Sequence, residues 1–267
     1  MFRRSILAVA LLAMLAPLAH AASLDEVLSK HFEAQGGLEK LKSIKTMRVT
    51  GKMGIGPGME APFTMERARP NKQRMEFTFS GMTGIQASDG VKPWMVMPFM
   101  GKKDPEPIPT EDAQEMLDDE FDGGLVDWKT KGSTVELLEN ESVEGADCYK
   151  LKLTKKGGKV ETHWIDTETF LTLKTEAKRK LRGTEVEAES VYGDYKDIDG
   201  ILFAHTMEQG AKGAPQRQKM VFDKIEMNVK LEDSRFVMPV AAPAADKAEP
   251  AKAAESKKDA PAAKKGK

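Results

Sequence analysis

The period of the apolar positions changes along the chain. Near the front, Leu24, Val27, Leu28, His31 and Phe32 recur at helical spacing. Ser23 stands where an N-cap belongs, with Glu26 three residues on. Gly36-Gly37 interrupts, and Leu38, Leu41 and Ile44 continue as a second short helical turn. From Thr46 the period falls to two. Phe63, Met65 and Arg67 alternate with Thr64, Glu66 and Ala68, and Met75, Phe77 and Phe79 alternate with Glu76, Thr78 and Ser80. Turn signals recur between such runs, at Gly56-Pro57-Gly58, Asp89-Gly90, Gly157-Gly158, Arg182-Gly183 and Asp199-Gly200. The pattern predicts roughly ten to twelve antiparallel strands, joined by short connections. Lys174 to Tyr195 reads as one long hairpin with a charged outer face.

One segment breaks the rhythm. Pro105-Glu106-Pro107-Ile108-Pro109 reads as a stiff connector. Thr110 to Phe121 then reads as a helix capped by Thr110, with Ala113, Met116, Leu117 and Phe121 on one face and Gly123-Gly124 at its end. The expected architecture is mainly β with a few helices. A hinged amphipathic helix is inserted between strands of a large sheet.

The two ends differ from this middle. Arg3 and Arg4 precede an apolar run from Ile6 to Leu18, and Ala19-His20-Ala21 offers small residues at a cleavage site. Residues 1–21 therefore read as a secretory signal peptide, too short for a membrane span of about 20 apolar residues. No Cys near the cleavage point offers a lipid attachment site. After Pro239 the chain is Ala, Pro, Lys, Glu, Asp, Ser and Gly, so residues 240–267 read as a disordered tail. Residues 22–239 remain as one domain. The single Cys148 leaves no disulfide to staple it, so the fold must stand on its core. These features suit a Gram-negative periplasm.

Charge excludes a nucleic-acid footprint. The chain without its leader carries 39 basic and 42 acidic residues, and the tail holds seven Lys against four acids, leaving the domain near −6.

Catalytic signals are poor. The sequence holds no nucleophile elbow, phosphate-binding glycine loop or His-Glu-x-x-His. His31, His163 and His205 fall on separate predicted elements, without ligand spacing. Cys148 reads as a small core residue. The run from Asp118 to Gly123 superficially resembles a calcium loop, but Lys129 stands where a bidentate Glu is needed. It reads as a solvated acidic helix end. No enzyme activity, cofactor or metal is expected.

Methionine is the informative residue. Ten of the 14 Met beyond the leader lie between Met47 and Met116, among Phe63, Phe77, Phe79, Trp94 and Phe99. Met suits surfaces that must fit variable apolar partners. A curved sheet of ten or more strands leaves an interior that side chains need not fill. Met65, Met75, Phe77, Phe79, Trp94 and Met97 are the expected lining. Met116, Leu117 and Phe121 are the expected apolar face of a lid. A slip of one residue along any strand exchanges its faces.

These residues carry a family resemblance. Arg69-Pro70-Asn71, after the strand Phe63 to Ala68 and before Met75 and Phe77, resembles the strand–turn signature of the Lol-type outer-membrane lipoprotein-sorting family. Ser88-Asp89-Gly90, Trp94 and Pro98-Phe99 resemble its next hairpin. The Pro-rich connector and helix, Trp164-Ile165-Asp166, Asp194 to Phe203 and Phe236 to Pro239 follow in the family's order. Lys72-Gln73-Arg74 depart from it, since the family often has bulky apolar residues there.

The resemblance implies a half-open antiparallel β-barrel covered by a helical lid, with an apolar cavity for acyl chains. It implies a soluble carrier of lipoproteins between an inner-membrane transporter and an outer-membrane receptor, with transient membrane contact. It also implies that Arg69 pins the lid shut, a role suited to a guanidinium's five donors. An alternative within the same fold is a periplasmic protein that binds another lipid or reports envelope stress.

Overall fold

The computed structural model describes residues 22–181 and 184–239. The leader expected over 1–21, the Arg182-Gly183 turn and the tail expected from Val240 lie outside the described residues.

Among the described residues, fourteen strands form one antiparallel sheet. They are β1 (Thr46–Gly56), β2 (Met59–Ala68), β3 (Lys72–Phe79), β4 (Met82–Ser88), β5 (Trp94–Met97), β6 (Lys102–Pro107), β7 (Thr134–Leu137), β8 (Glu141–Val143), β9 (Ala146–Thr154), β10 (Val160–Asp166), β11 (Thr172–Leu181), β12 (Thr184–Ile198), β13 (Ile201–Ala211) and β14 (Gln218–Met227). The order is β6-β5-β4-β3-β2-β1-β14-β13-β12-β11-β10-β9-β7, with β8 also on β9. Almost every neighbour is a sequence neighbour, as short turns require. The exceptions are β7 on β9, which skips the short β8, and β1 on β14, which joins the two ends of the domain.

The sheet curls without closing, so β6 and β7 are free edges and the barrel is half open. Residues 108–133 cross between those edges and carry helix α3 (Thr110–Leu117). The β6 edge, Lys102 to Pro107, contains Lys102, Lys103, Pro105 and Pro107, which blunt pairing with a foreign strand. The connector expected from Pro105 is thus shorter than predicted, because its first half pairs with β5. The strand count exceeds the prediction because β6, β7 and β8 are too short or too proline-rich to show alternation.

Helix α1 (Leu24–Ala34) starts as its sequence dictates, with the Ser23 hydroxyl accepting from the Glu26 amide at 3.2 Å. Its apolar stripe packs inside one half of the barrel. Val27 and Leu28 meet Leu151 and Leu153 of β9 and Ile165 of β10, and all five are buried. Gly36 ends the helix at φ 113°, and a Cβ there would lie 2.2 Å from the Gly200 carbonyl. Only glycine allows that approach, which seats α1 and the short α2 (Leu38–Ser43) on the β12–β13 turn.

The other half of the barrel has no such helix inside it among the described residues. There Val49, Met53, Ala61, Phe63, Met220 and Ile225 form a second cluster across β1, β2 and β14. Its outer surface is strapped by the C-terminal exit. The Phe236 carbonyl accepts from the Trp94 indole at 2.8 Å, and Arg235 pairs with buried Glu66 at 2.5 Å, opposite Arg48 at 2.9 Å.

Candidate functional site

A cavity of about 780 Å³ lies between the open half of the barrel and α3. Its apolar wall follows strand alternation. Met53 and Ile55 of β1, Met65 of β2, Met75 and Phe77 of β3, Met207 of β13, and Met220 and Phe222 of β14 face it. The register is consistent with this: Met65 pairs with Met75, and Phe63 with Phe77, so these side chains share one face. Ile108 and Met116 close the cavity from the lid side.

The opposite wall is polar. Lys155 and Lys159 at the β9–β10 turn, Glu161 and His163 of β10, Thr175 of β11 and Tyr192 of β12 line it. Burial favours a neutral Glu161, but His163 and Lys155 beside it outweigh that and hold its carboxyl at about 2. His163, Thr175 and Tyr192 also line an annex of about 240 Å³, together with His31, Asp122 and Tyr195. His31 Nδ1 donates to the Phe170 carbonyl at 2.7 Å. Burial pushes its imidazole down to about 4, so it is neutral near pH 7. Burial likewise raises the Tyr195 phenol, whose hydroxyl donates to the Thr172 carbonyl at 2.6 Å. Two of the histidines that sequence spacing kept apart therefore line one chamber. His205 lies elsewhere, on the Phe222 carbonyl.

The lid is held by polar contacts from both sides of the mouth. On one side, Gln73 donates to the Met116 carbonyl at 2.5 Å and Asn71 to the Leu117 carbonyl at 2.8 Å. Arg67 donates to the Asp119 carbonyl at 3.0 Å. Arg69 makes a two-pronged pair with Asp122 at 2.5 and 2.6 Å, donates to the Ile44 and Leu41 carbonyls, and lies over the Phe121 ring at 4.7 Å. On the other side, Lys159 meets Glu115 at 2.8 Å and Asp118 at 2.6 Å, while Lys155 reaches the Asp118 carbonyl at 3.3 Å. Burial would raise the Asp118 carboxyl, but hydrogen bonds from Lys159 and Gln114 prevail and lower it.

Several expected positions differ. Trp94 is absent from the cavity lining. It pairs opposite Ala87, while Met95 pairs opposite Gln86 on the cavity face, so parity on β5 is one residue off. Trp94 is instead buried on the convex face beneath Phe236 and Arg74. Met97 follows a register shift on β5 and is buried outside the lining. Phe79 sits at the β3–β4 tip, 38 % exposed, against Phe99. Helix α3 stops at Leu117, short of Phe121, and its N-cap is Pro109 with no side-chain bond, so Thr110 does not cap it. Leu117 and Phe121 do not line the cavity: Leu117 offers its carbonyl to Asn71, and Phe121 lies under Arg69. The acidic run after Leu117 is clasped by Arg and Lys rather than solvated. On sequence alone, Asn71, Gln73, Lys155 and Lys159 have no part in the site. The signal available was Gln73, a polar residue where the resemblance leads one to expect an apolar one.

A family model described only as “Uncharacterized protein” matches residues 81–238. No curated protein matches the sequence. The fold is shared with solved structures. A DUF1329 family protein from Desulfovibrio piger has a TM-score of 0.55 at 18% identity, covering 79% of this chain and 97% of that one. A LolA superfamily protein from Nitrosomonas europaea has a TM-score of 0.54 at 16% identity, covering 81% of this chain and 98% of that one.

Proposed function

Since the chain belongs to the family matched over residues 81–238 and has the fold of a LolA superfamily protein, we propose that it is a periplasmic carrier that holds acyl chains, and that lipoproteins bound for the outer membrane are its cargo. The observation that carries this reading is the cavity of about 780 Å³, walled on one side by Met and Phe. That volume is within the roughly 300–1,000 Å³ of small-molecule sites. Each CH₂ buried there contributes about 0.8 kcal/mol, so a chain is held without any catalytic group. Methionine's flexible thioethers let the wall fit chains of different length.

In this reading Met65, Met75 and Phe77 hold the chain and Met116 covers it. Arg69 is the gate, because one guanidinium joins the Ile44 carbonyl to Asp122 beyond α3. Residues 1–21 direct export, 22–239 form the carrier, and 240–267 are a tail. Loading and delivery require a transporter in the inner membrane and a receptor in the outer one. The protein acts by binding, not catalysis.

The test is a fluorescent acyl probe whose emission rises on burial. Binding to the purified protein is expected, with loss of about tenfold in affinity or more in Met65→Asp, which places a charge on the wall. Unchanged binding in Met65→Asp with an intact fold would refute the cavity as the site.

A further inference from the structure

The lid and the wall it covers have opposite charge. Between Ile108 and Gly124 the chain has seven Asp or Glu and no Lys or Arg. Five of those carboxylates, on Asp112, Glu115, Asp118, Asp119 and Glu120, line the cavity. On the barrel wall facing them, the β9–β10 turn and the inward register positions of β10 and β11 present Lys155, Lys159 and Arg179 against Glu161. Glu176 and Lys178, at the alternating positions, also border the cavity, but their charges cancel, and they pair with Lys174 and Lys212 and with Glu185. The wall under the lid is therefore net positive, and in the closed state the lid's own carboxylates neutralise it.

This matters for opening. If α3 lifts, Lys159 loses Glu115 and Asp118 together, and Lys155 loses the Asp118 carbonyl. Lys155 keeps Glu161 of β10 at 2.7 Å, so it is the Lys159 ammonium that then faces, without a carboxylate, a cavity whose far wall is Met and Phe. A partly buried charge without a partner is costly, so an incoming group that restores the pairing is favoured. A neutral acyl chain cannot do that.

Resting on the reading of the cavity as an acyl-chain site, we propose that its cargo is an anionic amphiphile whose head group replaces Glu115 and Asp118 on Lys159 and the Asp118 carbonyl on Lys155. The chain lies against Met65, Met75 and Phe77 across the cavity, and the head group sits where the lid's carboxylates sat. The annex lined by His163, Thr175 and Tyr192 gives further hydrogen-bonding groups beside it. Lid opening and cargo entry are then one exchange: the head group takes the lysines, and α3 stays released while it holds them. On delivery, Glu115 and Asp118 return as the competing anions. Carboxylate and phosphate head groups satisfy the same geometry, since each offers oxygens to two ammonium groups.

The experiment compares cis-parinaric acid with its methyl ester. The two have the same fluorescent chain and differ only in head-group charge. The wild-type protein is expected to bind the acid roughly tenfold more tightly, the worth of one or two charge-assisted hydrogen bonds. The double variant Lys155→Gln/Lys159→Gln is expected to bind acid and ester alike. Lys155→Arg/Lys159→Arg, which keeps the charge, is expected to keep the preference and guards against a variant that fails to fold. Excess inorganic phosphate, which lacks a chain, is expected to leave the acid bound. Displacement of the acid by phosphate would assign the lysines to a free anion and overturn the proposal. Equal binding of acid and ester by the wild type, or a preference that survives in the Gln variant, overturns it while leaving the acyl-chain cavity standing. If neither probe binds, the cavity reading itself fails.

Discussion

The two halves of the barrel solve the same problem differently. Both present an inward row of apolar residues by strand alternation. In the β9–β10 half, α1 fills the interior, and Val27, Leu151, Leu153 and Ile165 are each fully buried. In the β1–β3 half no helix among the described residues fills the interior, and Met65, Met75 and Phe77 remain half-buried around a cavity. The filled half stabilises the fold. The unfilled half retains apolar surface that a ligand can cover. The lid meets the open half through Ile108 and Met116, and hydrogen bonds and ion pairs tie it to both sides of the mouth. Polar contacts exchange with water or another anion at little net cost, whereas a packed helix does not.

The largest expected effect sharpens the division between core and cavity. Trp94→Ala should cost about 3–5 kcal/mol in chemical denaturation, since it empties a packed site under Phe236. Its acyl-probe affinity should be unchanged once folded. Phe77→Ala should do the reverse, weakening binding with a smaller loss of stability.

The filled half should also carry a pH dependence absent from the open half. His31 sits at about 4 in the fold against an ordinary 6.5, with His163 and the Phe170 carbonyl as its neighbours and Glu161 beside His163. As pH falls, the unfolded chain takes this proton first. Stability is therefore full above about pH 6.5 and is lost as pH falls toward about 4, by about 3 kcal/mol. His31→Gln, followed by thermal melting across that range, should remove most of the slope. A slope that persists would place its origin elsewhere.

Arg69→Leu should break the lid's tie to α2. It removes the paired bonds to Asp122 and the bond to the Ile44 carbonyl, at a cost of about 2–3 kcal/mol. Hydrogen exchange over residues 110–124 should accelerate, while exchange in α1 should not. Gln73→Leu is the smallest change. It removes one bond to the Met116 carbonyl, worth about 1 kcal/mol, and should speed lid exchange only modestly.

Much of the fold was legible locally. The capping of α1 by Ser23, the alternation of β2 and β3 and the long β11–β12 pair are properties of neighbouring residues. The face occupied by Met65, Met75 and Phe77 followed from the same alternation. Trp94 did not, because β5 has four residues and a register shift beside it, too little pattern to fix parity. The lid's end was misplaced because Phe121 keeps helical spacing after the backbone has left the helix at Leu117. The latch was invisible for another reason. Lys159 is 44 residues from Glu115 and Asn71 is 46 from Leu117, so only the folded sheet brings them together. An acidic run read alone looks solvated. Its partners decide otherwise.

The most direct test of the proposed carrier role is to purify the protein under native conditions from the cells that make it and identify what it holds by mass spectrometry. The account predicts acylated molecules bound about one per chain, reduced in Met65→Asp. A protein that emerges empty in every preparation, with the cavity wall intact, would contradict it and leave the methionines as core.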